Sequence, residues 1–294
     1  MKIKKSADYI ILQIIAYTTI TIFAILAFFP FLVLIISSFS SEHSIITNGY
    51  SLFPKQWSTA AYDLIFQNPK KIIDAYKITV FVTVVGTALS LFLSTMGAYV
   101  LFRKTVKYRN KLTFFIFFTT LFNGGLVPYF ILVSKYLHLK NTVLVLLLLP
   151  MFSVFNILIL RNFISGSIPE SLVESATIDG AGDFKIFISI VLPLCKPAMA
   201  SIGLFTALAY WNDWWTPMMF IQKQSLFPLQ YTLYQIISSV TFSSQMVSNL
   251  PPLNLPKESL KLAMTVVATG PILLVYPFVQ KYFVAGITIG AVKG

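Results

Sequence analysis

Long apolar stretches separated by short polar ones organise this chain. The first runs from Tyr9 to Ser38 without a charged residue, behind Lys2, Lys4 and Lys5. It exceeds the ~7–15 apolar residues of a signal peptide and lacks a small-residue cleavage site, so a retained helix is predicted, N-terminus inside, with Pro30 as a kink. A segment from Ser40 to about Asp74 follows, containing FPKQWS, YDLIF and NPKK. It is too polar to span a bilayer and too aromatic for a loose linker, so it is expected to pack on the outer ends of the helices. The second span, Ile78 to Phe102, places Gly86, Ser90, Ser94 and Ala98 every four residues. Such a stripe of small side chains lets another helix approach closely.

Four more spans are predicted. The third, Leu112 to Ser134, holds Asn123, Gly124 and Gly125 near its middle and Pro128 just after; the fourth, Thr142 to Leu160, passes through Pro150. The fifth covers about Ala198 to Ile221, and the sixth Leu260 to Val279, broken by Gly270, Pro271 and Pro277. An outer loop from Gln222 to about Pro256 joins these last two. Arg103, Lys104, Lys107, Arg109 and Lys111 crowd one short loop, which the positive-inside rule assigns to the cytoplasm. Six spans then leave both termini cytoplasmic, at residues 1–8 and 280–294. The expected fold is all-α: one polytopic membrane domain over residues 1–294, in the cytoplasmic membrane and bathed in lipid.

The longest polar interruption on the inner side is Ser167 to Pro197. It reads as two short helices about a glycine turn. Ser167 caps the first, Pro169 suits its first turn, and Glu170 completes a capping box. Gly180 ends it by taking the left-handed conformation. Asp183 is placed to cap a second helix, about Phe184 to Val191, which Pro193 stops. A compact amphipathic elbow on the inner face of a membrane protein suits docking.

Composition narrows the function. The 294 residues are 56% hydrophobic and 11% charged, with mean hydropathy +0.79, more apolar content than one soluble core buries. The net charge of +12 follows topology, and no basic, aromatic-interleaved soluble segment exists to bind nucleic acid. The single cysteine, Cys195, excludes an internal disulfide, and His43 and His138 stand apart, so no metal site of His and Cys is expected. No catalytic residues are proposed. No glycine is followed by lysine, so the phosphate-cradling loop G-x-x-x-x-G-K-[ST] is absent.

Within the elbow, Glu174, Ser175, Ala176, Asp179, Gly180 and Ala181, followed by Ile190, Leu192 and Pro193, resemble the EAA loop of bacterial ABC-importer permeases, with serine where the second small residue is usually alanine. FNGGLVPYFILVSKYLHLKNT, WNDWW and the terminal FVAGITIGAVKG extend the likeness from about Ala75 onward. Together they are similar to maltose-type carbohydrate permeases, nearest the branch for complex oligosaccharides and polysaccharide fragments. The resemblance implies the type I importer permease fold. It also implies a heterodimer with a second permease subunit, two copies of an ABC ATPase that bind ATP and Mg, and an extracytoplasmic substrate-binding protein. In that family the elbow is gripped by the ATPase, and the C-terminal tail, here with Gly286, Gly290 and Gly294, enters the ATPase interface.

For the substrate path, Trp211, Asn212, Asp213, Trp214 and Trp215 lie on the fifth span. Aromatic rings and amide or acid groups are what a sugar site uses. An interfacial aromatic belt with Asp213 in packing hydrogen bonds fits the same residues. Asn123 is a further path candidate, and Tyr231, Tyr234 and Gln235 fall in a loop able to reach the binding protein. In the outer loops basic residues exceed the acids Glu42, Asp63, Asp74 and Glu258, which suggests an anionic oligosaccharide. The alternative, a stand-alone ion-coupled secondary transporter, needs intramembrane carboxylates or histidines, and Asp213 is the one carboxylate within the six spans.

Overall fold

The computed structural model describes residues 7–246 and 256–273. In chain order the helices are α1 (Ala7–Ser38), α2 (Glu42–Asn48), α3 (Ala60–Ile65), α4 (Pro69–Phe102), α5 (Arg109–Leu121) and α6 (Leu126–Ile131), which continues as a π-helical turn to Tyr136. Then come α7 (Val143–Leu148), α8 (Val154–Ser167), α9 (Glu170–Ile178) and α10 (Asp183–Ile186). A π-helical turn, Phe187–Val191, leads into α11 (Leu192–Leu194), followed by α12 (Lys196–Trp211), α13 (Trp215–Phe220) and α14 (Leu229–Met246). Helix α15 spans 257–273. Among the described residues the one β feature is an isolated bridge between Ser40 and Trp57. Lys2, Lys4, Lys5, the end of the sixth span and the tail with Gly286, Gly290 and Gly294 lie outside the described residues.

Among the described residues two helices, Asp8–Ser38 and Pro69–Phe102, are long and apolar enough to cross a membrane, and there are four such elements if each of two bent pairs counts as one. The third, fourth and fifth predicted spans are each divided. Arg109–Leu121 and Leu126–Tyr136 meet at 116°. Here Gly125 takes a φ of +87°, and Asn123 Oδ1 accepts its backbone N–H at 2.8 Å. The fourth separates into α7 and α8 around Pro150, which has no N–H to continue a helix. The fifth separates at Asn212 and Asp213, short polar side chains that compete for backbone hydrogen bonds. Hydropathy registers composition and is blind to these breaks. The second span is longer than predicted, because Pro69 fits a first helical turn and α4 starts there. The predicted loop after Gln222 contains α14, whose Leu229, Thr232 and Leu233 are buried at helical spacing.

The chain forms two compact units. One comprises residues up to Pro69 with Gln235–Gly270. In it α1 is exposed along almost its whole length, and burial begins at Ser37 and Ser38. Ser38 Oγ and the Tyr62 hydroxyl are 2.7 Å apart, and Phe39 stacks on Tyr62 at 4.6 Å. The Glu42 carboxylate accepts the backbone N–H groups of Glu258 and Ser259 at 3.0 and 3.1 Å, placing a negative charge at the positive end of α15. A hydrogen bond from Lys261 holds the Glu258 carboxyl below the usual carboxylate range.

The other unit is Lys70–Tyr234 with Pro271 onward. Its spine is the pair α4 and α12. The small stripe of α4 is buried as its spacing predicts, and a Cβ on Gly86 would come within 2.5 Å of the Tyr210 ring. Ser90 donates to the Met151 carbonyl at 2.6 Å, and the Tyr210 hydroxyl donates to the Leu147 carbonyl at 2.7 Å. Both acceptors lie at or beside the break between α7 and α8. Gly86→Leu is therefore expected to destabilise the protein by roughly 1–3 kcal/mol through overpacking. Gly166→Ala, where a Cβ meets open space in a helix, should be neutral or stabilising by up to about 1 kcal/mol. Thermal unfolding of the detergent-solubilised protein measures both, and equal midpoints for the two variants would refute the close packing.

Candidate functional site

The segment Ser167 to Pro197 is two helical pieces about Gly180, with terminal chemistry different from the prediction. Ser167 is the last residue of α8. Pro169 occupies the N-terminal position of α9 without a side-chain cap, and Glu170 pairs with Lys104. Asp183 does not cap α10 either. Its Oδ1 lies 3.0 Å from Arg103 Nη2 and accepts from the Tyr99 hydroxyl at 3.4 Å. These partners are too distant in sequence for local capping rules to find. Pro193 does not stop the second piece: the π-helical turn precedes it, and the chain bends by 78° at Cys195 into α12. Bends at a π turn or a proline redirect a helix without ending it.

The C-terminus of α9 follows from one glycine. Gly180 has a φ of +81°; Ala181 N–H donates to the Ala176 carbonyl at 3.0 Å, and Gly180 N–H to that of Thr177 at 3.1 Å. This is the Schellman arrangement, which needs a left-handed residue at that position. A Cβ on Gly180 meets nothing within 4 Å, so the requirement is conformational rather than steric. The turn exposes Glu174, Ser175, Asp179 and Pro193, and leaves Ile178 86% accessible. The opposite face is anchored: Val173, Ile186, Phe187 and Val191 are buried in one cluster with Tyr99, Leu101 and Ile164, and Ala176, Ala181 and Leu192 pack against it. One face is fixed and the other is free to meet a partner.

The buried cation is the unusual feature here. The Arg103 side chain is 10% exposed and its Nε has no hydrogen-bond partner, whereas Asp183, which meets its Nη2, is largely exposed. In the sequence Arg103 and Lys104 mark topology alone, because nothing local distinguishes a paired arginine from a solvated one.

The residues Trp211 to Trp215 separate into different environments. Trp211 is buried, with its ring 6.4 Å from that of Tyr76. Asp213 Oδ1 accepts the backbone N–H groups of Trp215 and Thr216 at 3.1 and 3.0 Å, so it closes the N-terminus of α13. Asn212 Nδ2 donates to the Leu208 carbonyl, and its Oδ1 accepts from Gln230 at 3.1 Å. Trp214 and Trp215 are 42% and 38% exposed. Trp214 stacks on Tyr234 at 5.1 Å, Tyr234 faces Tyr231 at 6.4 Å, and Trp215 faces Tyr129 at 6.3 Å. Accessible ring faces next to an amide pair can stack on sugar rings and bond their hydroxyls. Asn123 holds its own turn, and Tyr129, six residues on, is what reaches this cluster. Tyr129 comes from α6, and Gln230 and Tyr234 from α14, so nothing in their sequence spacing links them to the tryptophan motif.

No family model matches the chain. It is 41% identical over 286 residues, 96% of its length and 98% of the relative's, to YtcP of Bacillus subtilis (strain 168), named as a polygalacturonan/rhamnogalacturonan transport system permease protein. It is 40% identical over 268 residues to the Protein LplC of the same organism, covering 90% of this chain and 89% of that one. A solved chain from a bacterial ABC transporter involved in import of the acidic polysaccharide alginate superposes with a TM-score of 0.73 at 30% identity, over 96% of this chain and all of that one.

The capping geometry separates the two readings of Asp213. Asp213→Asn keeps an acceptor oxygen and should leave stability close to wild type, whereas Asp213→Ala should cost about 1 kcal/mol. Thermal unfolding distinguishes them, and equal losses in both variants would show that the charge, not the cap, matters.

Proposed function

Because the chain belongs to the permease family of ABC importers for sugars and polysaccharides, we propose that it forms one of two permease subunits translocating acidic oligosaccharides through the cytoplasmic membrane by alternating access. It is a transport subunit and not an enzyme. The observation that carries the substrate class is the 41% identity, over nearly the whole of both chains, to a permease named for polygalacturonan and rhamnogalacturonan. The structural neighbour named for alginate is a second acidic case. Galacturonate and alginate residues each carry a carboxylate, and the excess of basic over acidic residues in the predicted outer loops suits such a cargo.

In this reading six spans place both termini and the elbow in the cytoplasm. Glu174, Ser175, Asp179 and Gly180 present the exposed face to one of two ATPase subunits, which bind ATP and Mg, while Ala176, Ala181, Leu192 and Pro193 hold its shape. Gly286, Gly290 and Gly294 enter the ATPase interface with the tail. An extracytoplasmic binding protein delivers the sugar, and ATP binding opens the permease pair outward to receive it. Trp214, Trp215, Tyr129 and Tyr234 stack on sugar rings, Asn212 with Gln230 meets hydroxyls, and Trp211 and Asp213 position them. The ion-coupled carrier's main candidate has a local role instead, since the Asp213 Oδ1 accepts two backbone N–H groups at the start of α13.

The test is uptake by the reconstituted complex of both permeases, the ATPases and the binding protein in proteoliposomes. ATP-dependent uptake of trigalacturonate is expected, with Trp214→Ala or Trp215→Ala lowering it roughly tenfold, the scale of losing one ring contact of about 1–1.5 kcal/mol. Uptake of maltotriose but not trigalacturonate would overturn the acidic class, and uptake driven by an ion gradient without ATP would restore the alternative. Separately, Glu174→Lys and Gly180→Asp should each reduce co-purification of the ATPase; full assembly and unchanged ATP hydrolysis in both would disprove docking at the elbow.

A further inference from the structure

The elbow is covalently continuous with α8 at its start and, through α11 and Cys195, with α12 at its end. A further connection is lateral, to the end of α4. Phe187 lies between Phe92 and Tyr99, at 5.7 and 5.8 Å, and Val173 and Ile186 share their buried cluster. Apolar packing of this kind is non-directional and permits sliding. The ion pairs add direction: Arg103 binds Asp183 on the second helical piece, and the adjacent Lys104 binds Glu170 on the first. Two successive residues at the end of one helix thus hold both halves of the elbow.

The burial of Arg103 makes the contact hard to leave. Its guanidinium is taken from water, and its ion-pair partner is the carboxylate of Asp183. Moving the elbow away from α4 would strand a buried cation, which costs far more than separating an exposed pair. Helix α4 then runs without interruption to Pro69, gripped on the way by Tyr210 against Gly86 and by the Ser90 bond to Met151. Toward that far end, Tyr76 meets Trp211, the last residue of α12. From Phe102 to Tyr76 is about 39 Å of helix. Two of the routes out of the elbow, α12 and α4, therefore converge on one aromatic pair beside the tryptophan cluster.

We propose that Arg103 and Lys104 are positioning residues that lock the elbow to α4, making α4 a lateral strut through which ATP-driven displacement of the elbow reaches the Tyr76–Trp211 pair. This rests on the reading of the elbow as the ATPase dock. With the clamp, elbow and α4 move as one body. Without it, the elbow still holds its ATPase and still pulls on α12, but slips past α4.

Pulsed electron paramagnetic resonance on the assembled complex in lipid nanodiscs reads this directly. Nitroxides on cysteines introduced at the exposed positions Lys185 and Ile73 report the distance from the elbow to the far end of α4. In the wild-type background the distance should be the same without nucleotide and with ATP and vanadate. In Arg103→Gln, and in Lys104→Glu at the more exposed pair, ATP and vanadate should shift or split it by roughly 5 Å, about one helical turn. Lys104→Glu combined with Glu170→Lys should restore the single distance, which a role in folding alone would not produce. Unchanged distances in the single variants, or a shift of that size already in the wild-type background, would overturn the proposal, as would loss of the ATPase from the clamp variants. Gly180→Asp is the separate arm. If it keeps its ATPase while the clamp variants show the shift, the docking reading fails and the lock between elbow and α4 stands.

Discussion

In a hydrocarbon environment a peptide N–H or C=O without a partner costs several kcal/mol, so an interrupted helix needs its broken ends repaired from nearby. This chain interrupts its helices repeatedly, and among the described residues a polar side chain meets several of the breaks. Asn123 takes the N–H of Gly125, Ser153 that of Asn156, and Asp213 those of Trp215 and Thr216. The carbonyls of Leu147 and Met151, beside the Pro150 break, receive the hydroxyls of Tyr210 and Ser90. The amide oxygen of Asn141 takes the N–H groups of Gln222 and Lys223, and Thr79 takes that of Leu229. Several of these bonds join segments far apart in sequence, so the repairs that permit the breaks also hold the unit together.

That constraint sorts the polar residues by role. Asp213 and Asn123 stand out as polar groups within apolar stretches, yet the Oδ1 of each is engaged by backbone N–H groups. What remains accessible near them is aromatic: the faces of Trp214, Trp215 and Tyr234, with the Asn212–Gln230 pair alongside. The backbone there is held by charge and amide, and what stays exposed is mostly ring. At the elbow apolar residues fix the inner face, and the outer one mixes polar residues with exposed apolar ones such as Ile178 and Phe184.

Where a structural cause is local and periodic, the chain shows it openly. The four-residue stripe of Gly86, Ser90, Ser94 and Ala98 is buried, and the left-handed turn at Gly180 is where its glycine predicts. The breaks in the third to fifth spans were not legible, since apolar content stays high across them and only backbone geometry changes. Ser167, Glu170 and Asp183 were misread as caps because their spacing suits capping, while Lys104 and Arg103 lie some 66 and 80 residues upstream. The helix after Gln222 was missed because its Ser, Thr and Gln residues dilute the apolar signal of a helix anchored by Leu229 and Leu233. The tryptophan cluster was visible as a motif, but its stacking partners come from other segments. Family membership, by contrast, is evident along 96% of the chain.

The central claim is that the free face of the elbow meets an ATPase. A photocrosslinking amino acid at Ile178, the most accessible apolar residue of α9, reports contact in the native membrane without disturbing the anchored face. Irradiation should give a covalent adduct with the ATPase subunit, and the same label at the equally accessible Phe53 should give none. An ATPase adduct from Phe53 and none from Ile178 would contradict the account.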